Sequence, residues 1–163
     1  MNMSVLVSEK CPASIDVTAA EIEQSGACLR IITSIDDGYG VVPVMEEGGV
    51  LLRKGEVAVY KEERPRDLPP GLYCIEHQRP VSCSTRADSR RIIMREVVYV
   101  RPCRRAPGDG NWEYVSLRSK VIGGVRRYAQ AEGPIYPWAA GDLLLGPVVG
   151  IYVPSSFTLE GRS

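Results

Sequence analysis

A chain with one histidine has few routes to acid–base chemistry near neutral pH. That residue, His77, stands between Glu76 and Gln78, with Ser82 and Cys83 the nearest nucleophile candidates. A His-activated nucleophile needs a third group to orient the imidazole. No acid follows at a recognisable spacing, so a surface histidine is the better reading. Ser119-Lys120 sets a hydroxyl beside an amine, but neighbours on an extended strand point to opposite faces and cannot form a dyad. Asp36, Asp37, Glu46 and Glu47 fall in two acidic loops whose oxygens suit a hard cation. Neither loop has the regular ligand alternation of a calcium site, and solvated turns are the simpler reading. Gly48-Gly49 lacks the spacing and the Lys-Ser/Thr ending of a phosphate loop. No metal and no cofactor is expected.

The remaining chemistry is that of arginine, which outnumbers lysine 16 to 4. The net charge is zero, but residues 53–128 hold 17 basic and 9 acidic side chains, leaving 3 and 11 elsewhere. Such an asymmetric chain either folds its halves together or presents a basic face to a partner. Arg86, Arg90, Arg91, Arg104, Arg105, Arg126 and Arg127 are the candidate anion- or nucleic-acid-binding residues, with Tyr99 and Trp112 as candidate base-stacking rings. Against this stand the zero net charge, the absence of a helix-turn-helix pattern, and the mixing of Arg91, Arg95 and Arg101 with apolar residues. Those arginines would instead pair with the acidic N-terminal third.

Five cysteines (Cys11, Cys28, Cys74, Cys83 and Cys103) form no CxxC pair. An odd number with no signal peptide argues against a disulfide scaffold and against a zinc ribbon. Cys74 lies in an apolar strand pattern and reads as a small buried hydrophobe. No apolar run reaches the length of a membrane span; Leu143–Val153 is broken by Gly146-Pro147 and Gly150. A cytoplasmic, reduced protein with no membrane association is expected.

The elements that would position these side chains are mostly strands. Val57, Val59 and then Tyr73, Ile75 alternate with charged or small residues, and Pro69-Pro70-Gly71 turns the chain between them. A short strand is expected at 2–7. Thr18 to Glu21 fits a capping box opening the one helix expected, near 19–25, with Gly26 as its C′ residue. Cys28–Ile35 and Val41–Met45 read as strands, the second at a sheet edge because of Pro43. Gln78–Arg90 reads as a polar loop. Arg91–Arg101 is a long strand in a hairpin with Trp112–Leu117, Ser119–Trp138 is irregular, and Leu143–Val153 is a terminal strand suited to a central or dimer-facing place. The clusters Tyr136-Pro137-Trp138 and Tyr152-Val153-Pro154 read as core packing, with an association surface the alternative. A mostly-β domain with one short N-terminal helix follows.

The order of these segments resembles the C-terminal domain of the LexA/UmuD-like self-cleaving serine peptidases, a family that includes phage repressor domains. The matching features are a Leu-x-x-Gly-acidic bend into a valine strand (Leu52–Val59), the turn into Gly-Leu-Tyr-Cys-Ile (71–75), the long strand Ile92–Val100, its aromatic partner Trp112–Leu117, and a terminal Gly-Pro-Val-Val-Gly-Ile-Tyr-Val (146–153). The resemblance covers about residues 40–153. It implies a LexA/signal-peptidase-like β domain over 40–157, an N-terminal arm with the short helix over 1–39, and a tail at 158–163.

That family uses a serine nucleophile and a lysine general base. Aligned on Gly55, the serine position falls on Glu47; aligned on the long strand, the lysine position falls on Met94. A carboxylate cannot replace the hydroxyl in attack on a peptide bond, a thioether takes no proton at neutral pH, and the adjacent Arg95 stays protonated. The Ala-Gly or Cys-Gly bond that the family cleaves is also missing before residue 50. The resemblance therefore implies a non-catalytic, homodimeric interaction or regulatory module of prophage type. Two alternatives are an active self-cleaving peptidase with a relocated nucleophile, and a nucleic-acid-binding protein using the Arg-rich middle.

Overall fold

The computed structural model describes residues 17–27, 29–45, 51–64, 68–80, 91–105, 107–108 and 110–153. The expected strand at 2–7 and the tail at 158–163 lie outside these residues. In chain order the elements are α1 (Val17–Gly26), β1 (Arg30–Ile32), β2 (Tyr39–Pro43), β3 (Val57–Lys61), β4 (Gly71–Pro80), β5 (Arg91–Pro102), β6 (Trp112–Ser116), β7 (Ser119–Ile122), β8 (Val125–Tyr128), β9 (Glu132–Ile135), α2 (Pro137–Leu143) and β10 (Leu144–Tyr152). The protein is mostly β.

One large sheet runs β2-β3-β10-β4-β5-β6-β9, with β1 added in parallel to β10. Strand β10 is the hub. Its first half pairs with β4, its second half with β3 on one side and β1 on the other. A Cβ on Gly146 would lie 1.8 Å from the Lys61 carbonyl oxygen, so only glycine lets β10 cross β3 at that point. Pro43, without an N–H, sits on β2 at the sheet edge as its chemistry requires.

The period-two rule holds, but its expected consequence does not. On β5, Val97 and Tyr99 enter one apolar cluster while Val98 and Val100 enter another. On β4, Leu72 joins the first and Tyr73 and Ile75 the second. The centre of the sheet is thus buried on both faces, where half-buried strands were expected. Leu72 is buried on the face opposite Tyr73 and Ile75, and Cys74 is the small buried residue expected.

Helix α1 covers one of these faces through Ile22, which is fully buried against Leu52, Tyr99 and Leu117. Thr18 and Glu21, expected as a capping box, both meet Arg101: its Nη1 donates to Thr18 Oγ1 at 3.0 Å and to Glu21 Oε2 at 3.0 Å. Gly26, expected as the C′ residue, is instead the last residue of the helix and has no left-handed φ; Leu51 packs over it, with Cδ2 2.0 Å from where a Cβ would be.

Three expectations need correction. Gln78–Pro80 continue β4 and pair with Arg91–Ile93, so the chain expected as loop from 78 is strand to Pro80. Segment 119–138, expected to be irregular, holds β7, β8, β9 and the start of a second helix. The β7–β8 turn is Gly123-Gly124, with φ of 59° and 78°, the double left-handed geometry of a tight hairpin. Finally, α2 opens on Pro137, a residue suited to a first helical position, so α1 is not the one helix.

Candidate functional site

The bend at Gly55 (φ 91°) is held to the end of β2. Gly55 N–H donates to the Val44 carbonyl at 2.9 Å, and Val44 N–H to the Glu56 carbonyl at 2.8 Å. The Glu56 carboxylate accepts from Arg53 N–H at 2.8 Å, tightening the same turn. Both flanks of segment 46–50 are therefore anchored. Glu47 itself lies outside the described residues.

Next to this bend is a small cleft of about 100 Å³, lined by Val42, Val44, Met45, Leu52, Met94 and Leu117 among others. Met94, on the family's base position by resemblance, is half-buried here and faces the flank of segment 46–50. Aliphatic and thioether side chains share the walls with Arg95, Glu96, Ser116 and Arg118. The cleft is well below the volume of a ligand pocket, and it holds room for a side chain.

Of the titratable groups nearby, Arg95 is held in an ion pair. Arg95 Nε donates to Glu76 Oε2 at 2.8 Å, and that carboxylate raises the pKa of Arg95 further, so it carries no base function. His77 is half-buried, not on the open surface expected for it. Its Nδ1 lies 3.5 Å from Glu96 Oε1 without hydrogen-bond geometry. Cys74 is fully buried, and burial pushes its thiol up to about 12, which removes it as a nucleophile. Cys103 is likewise buried and free. Among the described residues no three of His, Cys, Asp and Glu gather as a metal-binding set.

A larger, open groove of about 690 Å³ lies between β1, Tyr39, the Pro69-Pro70 turn and Pro147–Val149. Ser25, Arg30, Ser34, Asp36, Tyr39 and Tyr73 supply its polar lining, which among the described residues includes no histidine and no cysteine.

The candidate arginines divide. Arg86 and Arg90 lie outside the described residues, as does the side chain of Arg91. Arg104 Nη2 donates to Glu21 Oε1 at 2.5 Å, and the Arg105 guanidinium lies against the Gln130 side-chain amide. Arg126 Nη1 donates to Ser119 Oγ at 2.9 Å, and Arg127 is exposed on β8. Of the expected stacking rings, Tyr99 and Trp112 are both buried in the core and reach no ligand. Tyr39 is exposed, and Tyr136 and Trp138, expected as core packing, are exposed too and stack on each other with centroids 6.0 Å apart. Lys120, next to Ser119 in sequence, stands opposite Arg127 across the β7–β8 ladder, and Gly123-Gly124 between β-branched residues is the sequence signal for that hairpin.

No helix among the described residues is long and apolar enough to cross a membrane. No family model, no curated protein and no solved structure matches the chain.

Proposed function

We propose that this chain is a non-catalytic β domain of the LexA/UmuD-like peptidase type, working in the cytoplasm as a dimeric interaction or regulatory module. The observation that carries the reading is the cleft beside Gly55. Segments distant in sequence, Val42–Met45 with Leu52 and Met94–Val97, come together there, and the side chain on the base position is a thioether. The free thiols of Cys74 and Cys103 fit a reducing compartment.

Incubation of the purified protein at raised pH, followed by intact-mass spectrometry, tests the absence of catalysis. An unchanged mass is expected, and a discrete cut N-terminal to the Gly55 bend would overturn the reading in favour of a relocated nucleophile. A second measurement tests the register. The double variant Glu47→Ser/Met94→Lys should react with a fluorophosphonate while the unaltered protein does not. A folded double variant that stays unlabelled removes the peptidase-type assignment. Sedimentation at tens of micromolar should find a dimer, and a monomer would remove that part of the proposal.

A further inference from the structure

The β7–β8 hairpin stands apart from the large sheet as its own two-stranded ribbon. From Tyr114 to Ala131 the chain contains Arg118, Lys120, Arg126 and Arg127 and no carboxylate. Register puts Lys120 directly opposite Arg127, and Ile122 directly opposite Val125. Alternation along each strand then places all four on one face, in two tiers: a cation tier toward the base and an aliphatic tier beside the turn. Two residues of strand separate the tiers by about 7 Å.

Like charges opposed across a ladder destabilise it. Here both are exposed, and among the described residues neither Lys120 nor Arg127 has a carboxylate partner. Ile122 is 57% exposed, Val125 47% and Val121, on the other face, 63%. Arg118, Lys120, Ile122 and Arg127 line an open groove of about 680 Å³. The arrangement is unfavourable for an isolated fold and favourable for one that meets a polyanion.

We propose that the β7–β8 ribbon is a docking element for duplex DNA, with the Ile122/Val125 tier entering the major groove and Lys120 and Arg127 meeting backbone phosphates. A two-stranded ribbon fits that groove, aliphatic side chains contact thymine methyl groups there, and cations set behind the tip fall at phosphate height. An anionic bilayer is the competing polyanion. The tip offers it three aliphatic side chains and no aromatic ring, little apolar area for an interfacial anchor.

Fluorescence anisotropy of the whole protein with a labelled duplex of about 20 base pairs tests this, at ~50 and ~200 mM salt. With three or four phosphates neutralised, affinity should fall on the order of a hundredfold between those salts. The pair Lys120→Gln/Arg127→Gln should lower the log–log salt slope by about 2 while leaving the unfolding midpoint unchanged. Ile122→Ser/Val125→Ser should weaken binding roughly tenfold without altering that slope. Absence of binding at the lower salt, or an unaltered slope in the folded Gln pair, would overturn the assignment. Tighter binding to phosphatidylserine vesicles than to the duplex would overturn it in favour of a membrane surface.

Discussion

Two basic regions of this molecule differ in what their charges face. Arg101 is almost fully buried. Its Nε donates to Glu113 Oε1 at 2.7 Å, its cross-strand partner, and its Nη1 reaches Thr18 and Glu21 on α1. The guanidinium thus ties α1 to the β5–β6 hairpin, and the acidic N-terminal region meets the basic middle within one subunit. In the β7–β8 ribbon the cross-strand neighbour of Arg127 is another cation, and both face solvent. The same residue type is a structural tie in one place and an unmet charge in the other. What separates them is the partner across the ladder.

The sharpest way to break this comparison is Arg101→Ala. It leaves the buried Glu113 carboxylate without its partner, and stability should fall by about 3–5 kcal/mol in urea denaturation. Arg101→Met/Glu113→Leu should recover much of that loss, because removing both charges removes the unpaired one. A single variant as stable as the parent would mean the tie is not structural.

Ile22→Ala isolates the apolar half of the α1 attachment. Its side chain is fully buried in the larger cluster, so about 2–5 kcal/mol should be lost. Hydrogen exchange should then quicken first over Val17–Gly26.

The buried side also has a pH signature. Burial holds the Cys74 thiol at about 12 in the fold, against an ordinary value of 9.0. Below pH 9 both folded and unfolded chains keep the proton, and stability is flat. As pH rises toward 12 the unfolded chain releases it first, so stability falls, by on the order of a few kcal/mol over the window. Tyr73, Tyr99 and Tyr114, all raised chiefly by burial, add to the decline above their ordinary value of 10.0. In Cys74→Ala the onset between pH 9 and 10 should flatten, as read from urea midpoints across pH.

The smallest expected effect has the opposite sign. Arg127→Glu converts the Lys120–Arg127 pair into an attractive one, so stability should rise by about 0.2–1 kcal/mol while duplex binding falls. A loss of stability would mean that the two cations are not in conflict.

Much of the framework was legible. Strands β3 and β4 on either side of Pro69-Pro70-Gly71, the β5–β6 hairpin, the edge place of β2 and helix α1 all carry strong local signals, periodicity and turn chemistry, although the insertion of β10 between β3 and β4 carries none. The extension of β4 to Pro80 carried none. Its partner stretch exposes Ile92 at 52% and Ile93 at 62%, neighbours that point to opposite faces, so no alternation marks a buried side. The β7–β8 ribbon was missed for a related reason: it packs little core, and only its Gly-Gly turn announced it. At the candidate cleft, the chemistry of Met94 could be read directly from the residue type. Its meeting with Met45 and Leu52 could not, because that depends on how β2 and β5 pack.

Residue types and short-range order were enough to determine a β-rich chain and to show that its single histidine has no triad partner at a recognisable spacing. They also marked the Gly55 bend and Pro43 as places where backbone geometry is restricted. The mixing of Arg101 with apolar residues already set it toward the acidic N-terminal third, where Glu21 meets it, but the particular carboxylates were decided only in three dimensions. Arg101 also takes Glu113 and Arg95 takes Glu76, because ladder register and helix docking set neighbours far apart in sequence. Coulomb interactions depend on that spatial separation, and the order of residues does not contain it.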